Sequence, residues 1–262
     1  MAITIKQHPF TFESWYFDCI DEATNDVFIG YTVKFTWKFI NLRYHGYVLN
    51  KRDSHSERNS LTKPARVNVV TPIISMSSKL FDLSGTWEEK APSFTETIYE
   101  NEKGSVYLEC FQPRSDVNIR IKNGIIAGTG YCKRIKLNIK PWQLPYKEIK
   151  WGRCHTESDT YIWVYAKGDP SINLLLKNNK QHKITSITPT MVTTEEFSLS
   201  FDKLKIVQNS RIENMITKSI PLKTLLPKKG KKIHTLKFYS PVTIRNGDSV
   251  KKGKAIFETL TF

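Results

Sequence analysis

Asp116-Val117-Asn118-Ile119-Arg120-Ile121-Lys122-Asn123-Gly124 decides the fold class. Val117, Ile119 and Ile121 alternate with Asp116, Asn118 and Arg120, the period of two that gives a strand one apolar and one wet face. Asn123-Gly124 follows as a pair tolerant of positive φ, so the segment predicts a hairpin. The same reading predicts strands over 27–40, 43–50, 66–76, 95–101, 105–112, 160–167, 172–177, 182–188, 196–208, 233–245 and 254–262. Turn chemistry recurs at Lys103-Gly104, Asn178-Asn179 and Asn246-Gly247. Many short strands at near-regular spacing predict an all-β sandwich or barrel. Short helical pieces are expected only near 141–149 and 210–226, where Pro and Gly break any longer pattern. No β-α-β rhythm and no Gly-rich phosphate loop is present, which excludes a doubly wound nucleotide fold.

A chain of 262 residues, 39% hydrophobic and 12% aromatic, is able to bury a substantial core. Lys140-Pro141 through Pro145-Tyr146 favours a turning connection, which predicts modules over 1–140 and 141–262. No internal sequence repetition is visible. The N-terminus has no basic segment followed by an apolar run, and no stretch of eighteen apolar residues occurs, so a cytoplasmic protein is expected. Cys19, Cys110, Cys132 and Cys154 lack both C-x-x-C spacing and the density of a secreted scaffold; free buried thiols follow, with no metal site and no cofactor expected.

A formal net charge of +15 attracts anions. The charge thickens late, through Lys223, Lys228, Lys229, Lys231 and Lys232 and then Lys251, Lys252 and Lys254, in segments rich in Gly and Pro that read as solvated loops. With no zinc-finger or RNP signature beside it, this charge predicts no specific nucleic-acid partner. Peripheral contact with an anionic membrane through the basic loops remains open.

Gly128-Thr-Gly-Tyr131, Pro141-Trp-Gln-Leu-Pro145 and Lys150-Trp-Gly-Arg153 stand between the strand-like runs. Gly128 and Gly130 suit a close approach of two backbones, while Tyr131 and Trp151 each pair a large apolar body with a polar tip. This pattern, with Glu13-Ser-Trp15-Tyr16-Phe17-Asp18 before it, resembles the carotenoid hydratase (hydroxyneurosporene synthase) and AttH-like family. Its members carry a G-x-G-Y-x-acid segment, a later Trp-Gly-Arg segment and a W-W-Y-F-D opening. The resemblance implies two lipocalin-like (calycin) β modules packed together, a hydrophobic substrate, and kinship with the fungal Diels-Alderases of the same wider fold group.

Strand parity places Tyr131 and Lys133 on one face, and Trp151, Arg153 and His155 on one face of another strand. The resemblance implies a catalytic acid two residues after the Tyr; Lys133 occupies that position, and a lysine does not replace a carboxylic acid at a carbocation. Tyr131, Lys133 and Asp18 are the catalytic candidates, and Trp15, Tyr16, Trp151, Arg153, His155 and Trp163 the ligand-binding ones. Each has a structural reading beside it. Trp15 and Phe17 fill a core with Asp18 receiving hydrogen bonds, Arg153 is a fork bonded to carbonyls or a carboxylate, His155 is a satisfied residue, and Tyr161, Trp163 and Tyr165 form a packed strand face.

The function expected is binding of a long hydrophobic, polyene- or isoprenoid-like molecule, with cyclisation, isomerisation or hydration as the reaction. A dry shaped pocket supplies rate by positioning alone. A lipid or pigment carrier is the alternative, and a basic surface module for nucleic acid or anionic membrane the second.

Overall fold

The computed structural model describes residues 8–61, 64–122, 124–211 and 226–262. Contacts divide the chain into two units, Met1–Gln143 and Leu144–Phe262.

The first unit contains β1 (His8–Asp21), β2 (Val27–Lys38), β3 (Ile40–Asn50), β4 (His55–Ser60), β5 (Arg66–Val70), β6 (Ile73–Ser78), β7 (Leu83–Glu89), β8 (Phe94–Asn101), β9 (Gly104–Ile121) and β10 (Gly124–Leu137). They form one antiparallel sheet in the order β4-β3-β2-β1-β10-β9-β7-β6-β5, with β8 pairing β9. The second unit contains β11 (Glu148–Thr156), β12 (Thr160–Ala166), β13 (Ile172–Lys177), β14 (Lys180–His182), β15 (Ile184–Ile187), β16 (Met191–Thr194), β17 (Ser198–Phe201), β18 (Lys205–Arg211), β19 (His234–Asn246) and β20 (Ser249–Thr261). Its order, β14-β13-β12-β11-β20-β19-β17-β16-β15 with β18 pairing β19, is that of the first sheet with every number raised by ten. The fold is therefore all-β and built twice on one plan, although no repeat is visible in the sequence. One sheet curls into a half-barrel and the other into a nearly closed barrel, as expected of lipocalin-like modules.

Each sheet wraps a core of large apolar side chains. Phe17, Phe28, Met76, Trp87, Ile119 and Cys132 lie in the first, and Cys154, Tyr161, Trp163, Leu175, Phe201 and Phe257 in the second. Burial of such side chains, at about 25 cal/mol per Å² of apolar surface, is the main stabilising contribution in both. The four cysteines are free and buried.

Several local expectations change. The run 66–76 is two strands rather than one, because Pro72 has no N–H for the ladder and the chain turns there, pairing Val70 with Ile73. The run 196–208 likewise breaks between β17 and β18, where Asp202 donates its backbone N–H to the Pro241 carbonyl. Near 141–149 only Pro141–Gln143 is helical, a single 3-10 turn, and the chain is already in β11 by Glu148. Most of the 210–226 piece lies outside the described residues, Ser210 and Arg211 being strand. At the 116–124 hairpin Gly124 pairs with Ile121 and Lys122 takes a positive φ of 51°; Asn123 is outside the described residues. Asn178 and Asn179 do turn as expected, with φ of 49° and 63°.

Candidate functional site

In β1 the odd positions Trp15, Phe17 and Cys19 belong to the packed core. Tyr16 and Asp18 therefore point to the other side of the sheet. The β1–β10 register sets Asp18 opposite Tyr131 and Tyr16 opposite Lys133. On β9, Cys110 lies opposite Lys133; on β2, Tyr31 lies opposite Tyr16. Directly paired residues share a face, so these six side chains form one polar and aromatic surface with its back to the core.

That surface is buried: Asp18 is 0% exposed, Tyr131 1% and Lys133 3%. The Lys133 ammonium stands 5.2 Å from the Tyr16 ring centre and 5.8 Å from that of Tyr131, and the two rings meet edge to face at 6.2 Å. Loss of hydration drives the Lys133 amine well below its ordinary pKa, against the raising influence of Cys110 and Asp18. Burial pushes the Cys110 thiol well up, against a hydrogen bond from Tyr131 and the charge of Lys133. Beside them Tyr44 donates to the Tyr31 hydroxyl, and Tyr31 to Glu57, each at 3.4 Å. Burial lifts the Tyr44 phenol to about 12.

The glycines explain why this face can form. A side chain on Gly130 would meet the Asp18 carbonyl oxygen at 2.3 Å and Val117 at 2.4 Å. The Trp87 indole closes on that spot, donating to the Asp18 carbonyl at 2.9 Å. Gly130 thus lets β1, β10 and a tryptophan converge, which fixes the backbone of Asp18 on one strand and of Tyr131 on the next.

The other candidates belong to the second unit. Trp151, Arg153 and His155 share the face of β11 opposite its core, all buried, and Arg153 donates to His155 Nδ1 at 3.2 Å. The register puts Ile256 and Tyr239 beside Arg153, and Glu258 and Lys237 beside Trp151; Lys237 and Glu258 are ion-paired. Trp163 lies on the other side. Its ring covers Gly152, where a Cβ would come within 2.2 Å of it, and it packs in the core with Phe201 and Phe257. Trp15 is likewise on the core side of its sheet, stacked on Phe111 at 4.8 Å with the Arg134 guanidinium over both rings. The structure thus gathers Tyr16, Asp18, Tyr131 and Lys133, gathers Trp151, Arg153 and His155 separately, and leaves Trp15 and Trp163 in the two cores. Among the described residues no cluster of His, Cys, Asp and Glu could hold a metal ion, and no helix is long and apolar enough to cross a membrane.

Sequence reading missed Cys110, Tyr31 and Tyr44. Parity within a strand gives a face, but only the register between strands says which residues of β2 and β9 complete it.

No family model and no curated protein matches the chain. Solved structures do. A protein assigned as AttH from Nitrosomonas europaea superposes with a TM-score of 0.60 at 9% identity, covering 97% of this chain and 92% of that one. These likenesses show the fold. CghA with Sch210972 gives a TM-score of 0.59 at 9% identity, and kievitone hydratase from Nectria haematococca 0.61 at 7%, each covering 97% of this chain and 89% of the other. The structural neighbours thus include the AttH-like group that the sequence motifs resemble.

Proposed function

We propose that the protein binds a long hydrophobic, polyene- or isoprenoid-like molecule against the face formed by Tyr16, Asp18, Tyr131 and Lys133, and promotes its cyclisation or isomerisation. The observation that carries this reading is the convergence of those four side chains on one buried sheet face, on the side away from a close-packed core. Two phenol rings supply apolar walls and hydroxyl donors, and Asp18 is the carboxyl group beside them. Kievitone hydratase and CghA with Sch210972 share the fold and support a small-molecule role for it. With water excluded, holding a flexible chain in one folded conformer contributes much of the rate in such reactions. Lys133 stands where the resembling family has its acid. Hydration of an alkene is therefore not the reaction proposed.

Tryptophan quenching by a polyene, with product analysis, tests this. Binding with an isomeric product of unchanged mass is expected. Binding with unchanged polyene would make the protein a carrier, and no binding would remove the proposal. Hydration of an acyclic carotenoid is expected only after Lys133→Asp; strong hydration by the unmodified protein would overturn the reading of Lys133.

A second reading, contact with an anionic membrane, is favoured by the β5–β6 hairpin tip. Val69, Val70 and Ile73 are 43%, 61% and 44% exposed there, in a protein of net charge +15. Cosedimentation with phosphatidylglycerol vesicles that falls with salt and with Val70→Asp is the expected result.

A further inference from the structure

Binding an apolar molecule gives Lys133 no task. A buried amine among phenol rings is costly to keep, and a hydrocarbon ligand gains nothing from it. Its four neighbours point to a use. Nζ stands 5.2 Å and 5.8 Å from the ring centres of Tyr16 and Tyr131, Asp18 lies opposite Tyr131 on the same face, and Cys110 lies opposite Lys133 itself.

We propose that Lys133 is a nucleophile that captures an aldehyde or ketone group of the hydrophobic ligand as an imine. This rests on the reading of the same face as the ligand site, and it adds the functional group which the ligand carries. Neutral Nζ adds to the carbonyl carbon, the carbonyl π pair moves to oxygen, and a proton passes from the now positive nitrogen to that oxygen, which gives a neutral carbinolamine whose nitrogen again carries a lone pair. The nitrogen lone pair then expels the hydroxyl, protonated from Asp18 or solvent, as water. Amine and carbonyl have become imine and water, with no oxidant or reductant consumed. A protonated imine conjugated with a polyene withdraws electrons along the chain and lowers its double-bond order, which is what isomerisation or cyclisation of such a chain requires.

Nucleophilic lysines are those whose charged form is disfavoured by an apolar setting. Burial disfavours the charged form of Lys133, and the lowered pKa of its amine agrees with it. Exposed lysines are overwhelmingly protonated near neutrality, only about one in 2,500 being neutral at pH 7. Cys110 does not compete, because a thiol pushed up by burial stays protonated and unreactive. Lys133 is only 3% exposed, so an aldehyde reaches it by entering the face rather than by collision from bulk water. That separates it from the exposed lysines.

The protein is incubated at pH 7 with all-trans-retinal and sodium cyanoborohydride, which reduces an imine to a stable secondary amine, and then mapped by peptide mass spectrometry. All-trans-retinol, of the same skeleton without the carbonyl, is followed in parallel by tryptophan quenching. The expected result is one dominant adduct at Lys133, larger than those at all other lysines together. Retinol should bind, form no adduct and compete with retinal. Lys133→Arg should lose the dominant adduct; mapping of the unmodified protein decides the matter even if that variant does not fold. Retinol binding together with adducts spread over exposed lysines, or with none at Lys133, overturns the imine and leaves the binding site standing. Absence of both adduct and quenching removes the two together.

Discussion

The two units share a strand order and differ in what they place on the same face of it. In the first, the side of β1, β10 and β9 away from the core carries phenols, a carboxyl, a thiol and a lysine whose amine is driven toward neutrality. In the second, the corresponding side of β11, β20 and β19 carries an ion pair, Lys237 with Glu258, and a guanidinium bonded to an imidazole. Charge follows the same division: Lys and Arg outnumber Asp and Glu by 19 to 15 in Met1–Gln143 and by 21 to 10 in Leu144–Phe262. One scaffold thus supports both a buried face of phenols, carboxyl, thiol and amine and a face that carries an ion pair. The topology does not choose between them; the side chains of three central strands do.

Each unit also seats a tryptophan on a glycine, and the largest effects are expected there. Trp87→Ala and Trp163→Ala should each cost about 4 kcal/mol in urea unfolding, as losses of fully buried aromatics do. Only Trp87 bonds the Asp18 carbonyl. Polyene binding should therefore fall for Trp87→Phe, which keeps most of the apolar volume, and stay unchanged for Trp163→Phe. Equal loss in both would break the claim that the first unit alone carries the site.

Next in size is Gly130→Ala, expected to cost about 2–3 kcal/mol because the added methyl overlaps backbone at Asp18 that cannot move without parting β1 from β10. A cost under about 0.5 kcal/mol by urea denaturation would mean that the strands have room, and that the G-x-G-Y motif serves something other than close approach.

Much of this was legible. The alternation of 116–121 and the turn pairs established the all-β class, because side-chain period depends only on local backbone geometry. The faces of Tyr131 with Lys133 and of Trp151 with Arg153 followed for the same reason. What was not legible depends on pairing. That Asp18 stands opposite Tyr131, that Cys110 completes the lysine's surroundings, and that Trp163 turns inward onto Gly152 are facts of register and neighbour choice, which a single strand does not encode. Nor did the duplication leave a trace, since many sequences satisfy one pattern of alternating burial.

The two lysines on equivalent faces give a smaller and more discriminating test. Lys237→Met should destabilise at pH 7 by about 1–2 kcal/mol, because it strands Glu258. Lys133→Met should cost less, because it also removes the burden of burying an ammonium. The folded-state pKa of Lys133 lies below its unfolded value, so between the two the unfolded chain binds more protons and stability rises with pH. The unmodified protein should gain on Lys133→Met from pH 7 to 10, measured by urea midpoints. No gain would mean that Lys133 stays charged throughout, which would also weaken its use as a nucleophile.

The smallest effect compares the carboxylates that tie equivalent hairpins. At the β1–β2 connection the Asp21 carboxylate accepts the backbone N–H groups of Ala23, Thr24 and Ala127 at 3.0, 2.8 and 3.2 Å. At the β11–β12 connection Asp159 accepts from the Lys251 ammonium at 2.6 Å and the Asn178 amide at 2.8 Å. Burial raises both pKa values; for Asp21 the hydrogen bonds of Thr24 and Ala127 outweigh it, and for Asp159 those of Lys251 and Asn178, so both end lowered. A lowered carboxylate stabilises the fold above its unfolded pKa, and that contribution is lost as pH falls through the folded value. Asp21→Asn and Asp159→Asn should each cost about 1 kcal/mol at pH 7 and converge with the unmodified protein near pH 2. Salt tells them apart. The Asp159 contribution comes from a half-exposed ion pair and should shrink in 1 M sodium chloride, where the screening length is about 3 Å. That of Asp21 comes from fixed peptide dipoles in hydrogen-bond contact and should persist. If both shrink alike, Asp21 is acting as a charge in the field of the whole unit rather than as a cap on its turn.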